Sequence, residues 1–149
     1  MTFQECVAFV LKWESWKSND AKDPGSNVGS PKIGTVWGIS ERDFPNEVAA
    51  MWDMSQEDSK KVAAGIYRKK YWEPAGCDAY DPPWNLIVFD TAVNCGVSRA
   101  LKWLDEEDTW QGYLFRRLKH YTSLDIFKHF GKGWVNRVID LYKTVGKTV

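Results

Sequence analysis

Near its start the chain reads Thr2-Phe3-Gln4-Glu5-Cys6-Val7-Ala8-Phe9-Val10-Leu11-Lys12-Trp13-Glu14, which has the pattern of one amphipathic helix. Thr2 and Glu5 have the spacing of a capping box, in which a hydroxyl and a glutamate three residues later satisfy the first free amides of a helix. Apolar side chains then recur at helical spacing as far as Leu11, so one face of the helix is expected to be buried. Glu14 lies three residues beyond Leu11 and continues that face.

The position of Glu14, between Trp13 and Trp16, has two interpretations. A carboxyl group on the apolar face is partly desolvated, and such groups serve as general acids in enzymes. Alternatively, Glu14 is a solvated residue at a helix end whose aliphatic stem packs on a tryptophan. The residues that follow favour the first interpretation.

A long irregular segment follows the helix. Residues 15–40 are rich in Gly, Pro, Ser, Asn and Asp and show no helical period. A weak alternation from Ile33 to Ile39 predicts a short β-hairpin. Long irregular segments inside compact domains are uncommon and are usually functional.

Carboxylates on a helix end and its following loop, flanked by tryptophans, suit cleavage of a glycosidic bond. One acid protonates the leaving oxygen, a polar partner positions water, and indole faces hold sugar rings. We assign Glu14 as the acid and Asp23, or Asp20 in its place, as the ionised partner, helped by the Thr35 hydroxyl. Asp20 and Trp37 are the candidates in this segment for substrate binding.

Several motifs follow one another along most of the chain: Glu14, Asn19-Asp20, Asp23-Pro24-Gly25, Gly34-Thr35-Val36-Trp37-Gly38-Ile39-Ser40, Ile66-Tyr67-Arg68-Lys69-Lys70-Tyr71-Trp72, Phe89-Asp90-Thr91-Ala92-Val93-Asn94-Cys95-Gly96 and Gly133-Trp134-Val135-Asn136-Arg137-Val138. Together they resemble glycoside hydrolase family 108. The resemblance implies a lysozyme-like fold, N-acetylmuramidase activity on bacterial peptidoglycan, and a catalytic glutamate that maps onto Glu14. It also implies that the last motif belongs to a peptidoglycan-binding half.

The chain departs from the family pattern at two places. Ser15-Trp16 replaces the Gly-Gly that follows the family's catalytic glutamate, and the loop between Asp23 and Thr35 is longer. Two alternatives therefore stay open: a lytic transglycosylase that uses Glu14 alone, and an inactive peptidoglycan-binding helical module.

The sequence predicts a mainly α, lysozyme-like domain over residues 1–149, with a small irregular or β-hairpin insertion after the first helix. Residues 1–80 form its catalytic, loop-bearing part and 81–149 a helical, peptidoglycan-binding-like part. Capping and breaking signals predict later helices at 56–71, at 84–95 closed by Gly96, from Ser98, from Thr109, at 123–130, and after Gly133.

Asp90 and Asn94 are four residues apart in an otherwise apolar helix and therefore share a face. They either bind substrate or are buried polar residues that bond a loop backbone.

Twenty basic and twenty acidic residues give no net charge, which argues against nucleic-acid or membrane binding by bulk electrostatics. We expect a monomer whose partner is the peptidoglycan glycan strand, without membrane insertion. No metal site is predicted, because His120 and His129 have no suitable ligands nearby in sequence, and no cofactor is expected.

Cys6, Cys77 and Cys95 form an odd set without a CxxC pair, which favours free thiols in a reduced compartment. The first residues lack the pattern of a signal peptide. With the family resemblance, this suggests a phage endolysin made in the host cytoplasm that acts on the cell wall after holin-type release.

Overall fold

The structure, a computed structural model, describes residues 1–19 and 34–147. Its α-helices are α1 (Phe3–Lys12), α2 (Pro45–Trp52), α3 (Gln56–Tyr67), α4 (Trp84–Cys95), α5 (Val97–Glu106), α6 (Trp110–Thr122) and α7 (Phe127–Val145). Its strands are β1 (Lys17–Ser18), β2 (Thr35–Val36) and β3 (Ile39–Ser40). The predicted mainly α class, with a small β insertion after the first helix, is confirmed.

The chain divides into two compact units. The first unit comprises Met1–Cys6 and Lys69–Val149, and the second comprises Val7–Arg68. The predicted functional division near residue 80 is a separate matter and stays a prediction.

The second unit contains the small sheet. β1 pairs antiparallel with β2, which pairs antiparallel with β3, so that the strands lie in chain order. α2 packs against β2, β3 and α3. The sequence analysis did not predict α2; Pro45 occupies its first turn and no side chain caps its start, but Val48 and Met51 are buried at helical spacing.

Local capping signals have the predicted effect. The backbone N–H of Thr2 donates to Glu5 Oε2 at 2.7 Å, and the Glu5 N–H donates to the Thr2 hydroxyl at 3.3 Å. At the start of α3 the Asp58 N–H donates to the Ser55 hydroxyl at 3.1 Å. The helix predicted over 56–71 is α-helical to Tyr67 and continues as a π-helical turn, Arg68–Trp72.

The first unit is built around α4, whose residues from Asn85 to Ala92 are all buried. Phe3, Trp72 and Phe89 meet edge to face in its core, with ring centroids 5.2–5.9 Å apart. Gly96, with φ of 89°, ends α4 as predicted. α5 begins at Val97, one residue before the predicted Ser98.

The later helices require one correction. Thr109 starts α6 as predicted, since its hydroxyl accepts from the Gly112 N–H at 3.1 Å. A short helix over 123–130 and a new one after Gly133 are wrong, because α7 runs unbroken from Phe127 to Val145. A Cβ at Gly131 would lie 2.6 Å from the Phe127 ring, so glycine there gives that ring room against the helix. One glycine costs a helix only about 1 kcal/mol, which packing outweighs.

The three cysteines are free, with Cys6 and Cys77 buried and Cys95 half-buried. Burial raises the pKa of the Cys6 thiol and of the Cys77 thiol to about 12. Among the described residues, no helix combines the length and apolar character needed to span a membrane.

Candidate active site

Glu14 lies just past the end of α1, within the second unit. The chain leaves the helix through a tightened turn, in which Trp13 N–H donates to the Val10 carbonyl at 2.9 Å and Glu14 N–H to the Leu11 carbonyl at 3.3 Å. The Glu14 side chain is half-buried, as its place on the apolar face of the helix predicts. Three residues later the chain enters β1.

The turn between β2 and β3 consists of Trp37 and Gly38. Both have left-handed backbones, with φ of 51° and 71°, as two-residue hairpin turns with the right twist require. Glycine adopts this conformation freely, whereas tryptophan does so at a cost.

Hydrogen bonds hold Trp37 on three sides. Its N–H donates to the Trp16 carbonyl at 2.9 Å, and its carbonyl accepts from the Tyr67 hydroxyl at 2.7 Å. Its indole Nε1 donates to the Ser59 hydroxyl at 2.9 Å. The turn is therefore fixed to the residues after Glu14 and to α3.

The Glu14 carboxyl group lies directly against this turn. A Cβ added to Gly38 would stand 2.4 Å from Glu14 Oε2, 2.8 Å from Glu14 Cδ and 3.2 Å from the Tyr67 hydroxyl oxygen. The carboxyl and the phenol thus converge on the backbone of Gly38, where no side chain fits. Gly38 itself is exposed, so the carboxyl lies beside solvent-facing backbone.

The other predicted residues of this region differ in what the structure says of them. Asp20 and Asp23 lie outside the described residues. Thr35 is buried on β2, and its hydroxyl donates to the Ser18 carbonyl at 3.5 Å. The Trp37 indole is only 4% exposed, so the part of Trp37 that lies beside Glu14 is its backbone.

Asp90 is in the first unit, on α4, and has no exposed surface to offer a ligand. Its Oδ1 accepts from Arg137 Nε at 2.9 Å and Nη2 at 2.8 Å, and its Oδ2 accepts from Arg117 Nη1 at 2.6 Å. Burial alone would raise the pKa of this carboxyl, but the charges and hydrogen bonds of the two arginines outweigh burial and lower it. Of the two interpretations, Asp90 fits the buried one, with arginines as partners in place of loop backbone.

Asn94 is half-buried on the same helix. Its Oδ1 accepts from the Tyr121 hydroxyl and from Cys95 Sγ, and the Tyr121 oxygen in turn accepts from Arg117 Nε at 2.6 Å. Asn94 therefore borders the arginine network and retains some accessible surface.

Sequence reasoning missed two groups of residues. It placed Arg117 on a solvated basic face, although its side chain is fully buried; the signal was its helical spacing from the buried Tyr113, Leu114 and Tyr121. It also missed the contact of Gly38 and Tyr67 with Glu14, for which a glycine at a hairpin tip was the only local signal.

Comparison with family models matches residues 7–96 to Glycosyl hydrolase 108. That stretch is more than half of the chain and contains Glu14, the β2–β3 turn and Tyr67. The chain belongs to glycosyl hydrolase family 108. It is accordingly a glycoside hydrolase, and the family assignment supports peptidoglycan as the material it hydrolyses.

The solved structure of Brucella abortus SagA is similar to this family 108 chain, with a TM-score of 0.71. The match covers 96% of this chain and 92% of SagA at 23% sequence identity, and at that identity it supports the fold alone. Among curated proteins, none shows significant similarity to the chain.

Proposed function

We propose that this family 108 hydrolase is an N-acetylmuramidase that cleaves the bond from N-acetylmuramic acid to N-acetylglucosamine in peptidoglycan. The observation that carries the proposal is the half-buried carboxyl of Glu14, held against the exposed backbone of Gly38. A general acid needs this combination, because it must be oriented by the protein and still reach the leaving oxygen.

In the proposed mechanism Glu14 begins protonated and gives its proton to the glycosidic oxygen as the bond to the anomeric carbon breaks. Positive charge develops on that carbon, and Asp23, or Asp20 in its place, stays ionised to stabilise the charge or to orient water. Water supplies the new hydroxyl on the anomeric carbon, leaving a reducing end. Thr35 contributes its hydroxyl to the same task, and its strand leads directly into the turn that contacts Glu14.

The wider assignment extends this proposal. We infer a monomeric phage endolysin, made in the host cytoplasm and acting on the wall after holin-type release, with no cofactor and no nucleic-acid partner. Three free cysteines and the absence of net charge are consistent with it. Residues 81–149 serve as a peptidoglycan-binding-like part, in which half-buried Asn94 is a candidate for substrate contact.

Mass spectrometry of peptidoglycan digested by the purified protein tests the function. Products with reducing N-acetylmuramic acid ends are expected. Anhydro-muramic ends would identify a lytic transglycosylase, and the absence of released fragments would identify a binding module; either result would overturn the proposal.

A further inference from the structure

We propose that Tyr67 is a positioning residue for Glu14: its hydroxyl holds the Trp37–Gly38 turn in place, and that turn fixes the direction of the carboxyl group. The inference rests on the proposed role of Glu14 as the acid.

The first step concerns backbone strain. Trp37 has a φ of 51°, which side-chain-bearing residues rarely adopt. Such a conformation persists only where the surrounding structure enforces it, and it occurs preferentially at functional sites. Something in this unit must therefore hold Trp37 in the turn.

The second step identifies what holds it. Ser59, Ala63 and Tyr67 recur at every fourth position of α3 and are all buried, so they line one face of the helix. From that face the Ser59 hydroxyl accepts from the Trp37 indole at 2.9 Å, and the Tyr67 hydroxyl donates to the Trp37 carbonyl at 2.7 Å. The bond from Tyr67 acts on the backbone itself, at the peptide unit that joins Trp37 to Gly38.

The third step links the turn to the carboxyl. The Tyr67 hydroxyl oxygen and Glu14 Oε2 lie within 3.2 Å and 2.4 Å of the same point, the place of a Cβ on Gly38. Gly38 therefore forms a wall that stops the Glu14 side chain from rotating into the turn. A wall that shifts would let the acid swing away from the leaving oxygen, and misplacement by about 1 Å can cost on the order of 10²-fold in rate.

Tyr67 is also the last residue of α3 before the π-helical turn Arg68–Trp72. Turns of this kind inside α-helices are rare and frequently lie at functional sites. The change in helical winding directly after Tyr67 is a second, independent sign that the placement of this side chain matters.

The test compares Tyr67→Phe with Tyr113→Phe in the full-length protein. Both tyrosines are buried and each donates one hydrogen bond to a backbone carbonyl, Tyr67 to Trp37 at 2.7 Å and Tyr113 to Ala100 at 3.0 Å. Tyr113 lies in the other unit and serves as the matched control. With soluble glycan strands as substrate, kcat of Tyr67→Phe is expected to fall roughly 10- to 100-fold at an unchanged KM. Tyr113→Phe is expected to lose similar thermal stability and to keep its kcat.

A second readout does not depend on activity. The carboxyl ¹³C signal of Glu14, assigned by its disappearance in Glu14→Gln, is expected to shift in Tyr67→Phe and to stay unchanged in Tyr113→Phe. If Tyr67→Phe does not fold, Ser59→Ala removes the other hydroxyl that contacts Trp37 and must give the same separation of kcat from KM.

The outcomes separate this inference from the proposed function. An inactive Glu14→Gln together with an unaltered kcat and an unaltered Glu14 signal in Tyr67→Phe would overturn the positioning role and leave the muramidase assignment standing. An active, folded Glu14→Gln would overturn both.

Discussion

The Glu14 carboxyl and the Gly38 backbone fill adjoining space, so that a methyl group on Gly38 would lie 2.4 Å from Glu14 Oε2. The two residues are 24 positions apart, one at a helix end and the other at a hairpin tip. Helix end and hairpin therefore act as one structural unit around the acid, and changes on either side are expected to affect catalysis.

Gly38→Ala tests this relationship, with Gly76→Ala as its control. The two glycines have nearly the same left-handed backbone, φ of 71° and 68°, so alanine adds similar strain of roughly 1–2 kcal/mol at each. Only at Gly38 does the new methyl meet the acid, since the nearest atom at Gly76 is the Tyr80 hydroxyl at 3.8 Å. We expect similar shifts in melting temperature and a loss of turnover, at least ~10-fold, in Gly38→Ala alone. Equal turnover in both variants would show that Gly38 does not shape the site.

The loop acids are tested by Asp23→Asn and Asp20→Asn. Asp23 is expected to matter more for turnover, because its distance from Glu14 in the sequence resembles the acid, aspartate and threonine arrangement of phage lysozymes. The measurement is the rate of turbidity clearance of a cell-wall suspension by each folded variant. If both substitutions have negligible effects, the second polar role belongs to another residue, and Thr35→Val becomes the variant to assay.

Asp90→Asn is expected to destabilise the protein by about 3–5 kcal/mol, because it leaves Arg117 and Arg137 buried without their carboxylate. Glu57→Gln breaks an ion pair with Lys60 that is exposed to solvent, and it should cost far less. Urea unfolding at pH 7 measures both. A small, equal effect of the two substitutions would contradict the structural role given to Asp90.

The same carboxylate predicts how stability depends on pH. Because the pKa of Asp90 is lower in the folded protein than its ordinary value of 3.8, its contribution is fully present above that value. It is lost as the pH falls below 3.8 toward the folded-state pKa. The decrease in unfolding free energy between pH 7 and pH 3 should therefore be smaller in Asp90→Asn than in the unsubstituted protein.

The cysteines give a prediction about reactivity. Burial raises the pKa of Cys6 and of Cys77 to about 12, and it is the thiolate form that reacts. At pH 8 the native protein should react slowly with a thiol reagent at both positions, and the denatured, unreduced protein should show three thiols. A count of one after denaturation would reveal a disulfide and would contradict synthesis in a reducing cytoplasm.

Local signals were enough to predict much of the fold. The Thr2 and Ser55 caps and the Gly96 helix end each depend on residues within a few positions of one another, and each appears as expected. The wrong break before Gly133 arose because glycine was taken as a helix end, whereas the Phe127 ring packs over Gly131 inside α7.

The candidate site could be predicted only in part, because its geometry depends on residues far apart in sequence. Glu14 was recognisable from its place on an apolar helix face. Its contact with Gly38 was not, since nothing near Glu14 or Gly38 in the sequence shows that the two meet. Arg117 was misplaced for the same reason, as its partner Asp90 lies 27 residues away on another helix.

The most direct test of the account measures how fast reducing N-acetylmuramic acid ends appear when purified peptidoglycan is treated with Glu14→Gln. Glu47→Gln, which changes an exposed acid on α2, is the matched control. Loss of the general acid should lower the rate at least ~10²-fold in Glu14→Gln while its thermal unfolding stays the same and Glu47→Gln keeps full activity. A folded Glu14→Gln that releases these ends at the unsubstituted rate would contradict the central claim that Glu14 is the catalytic acid.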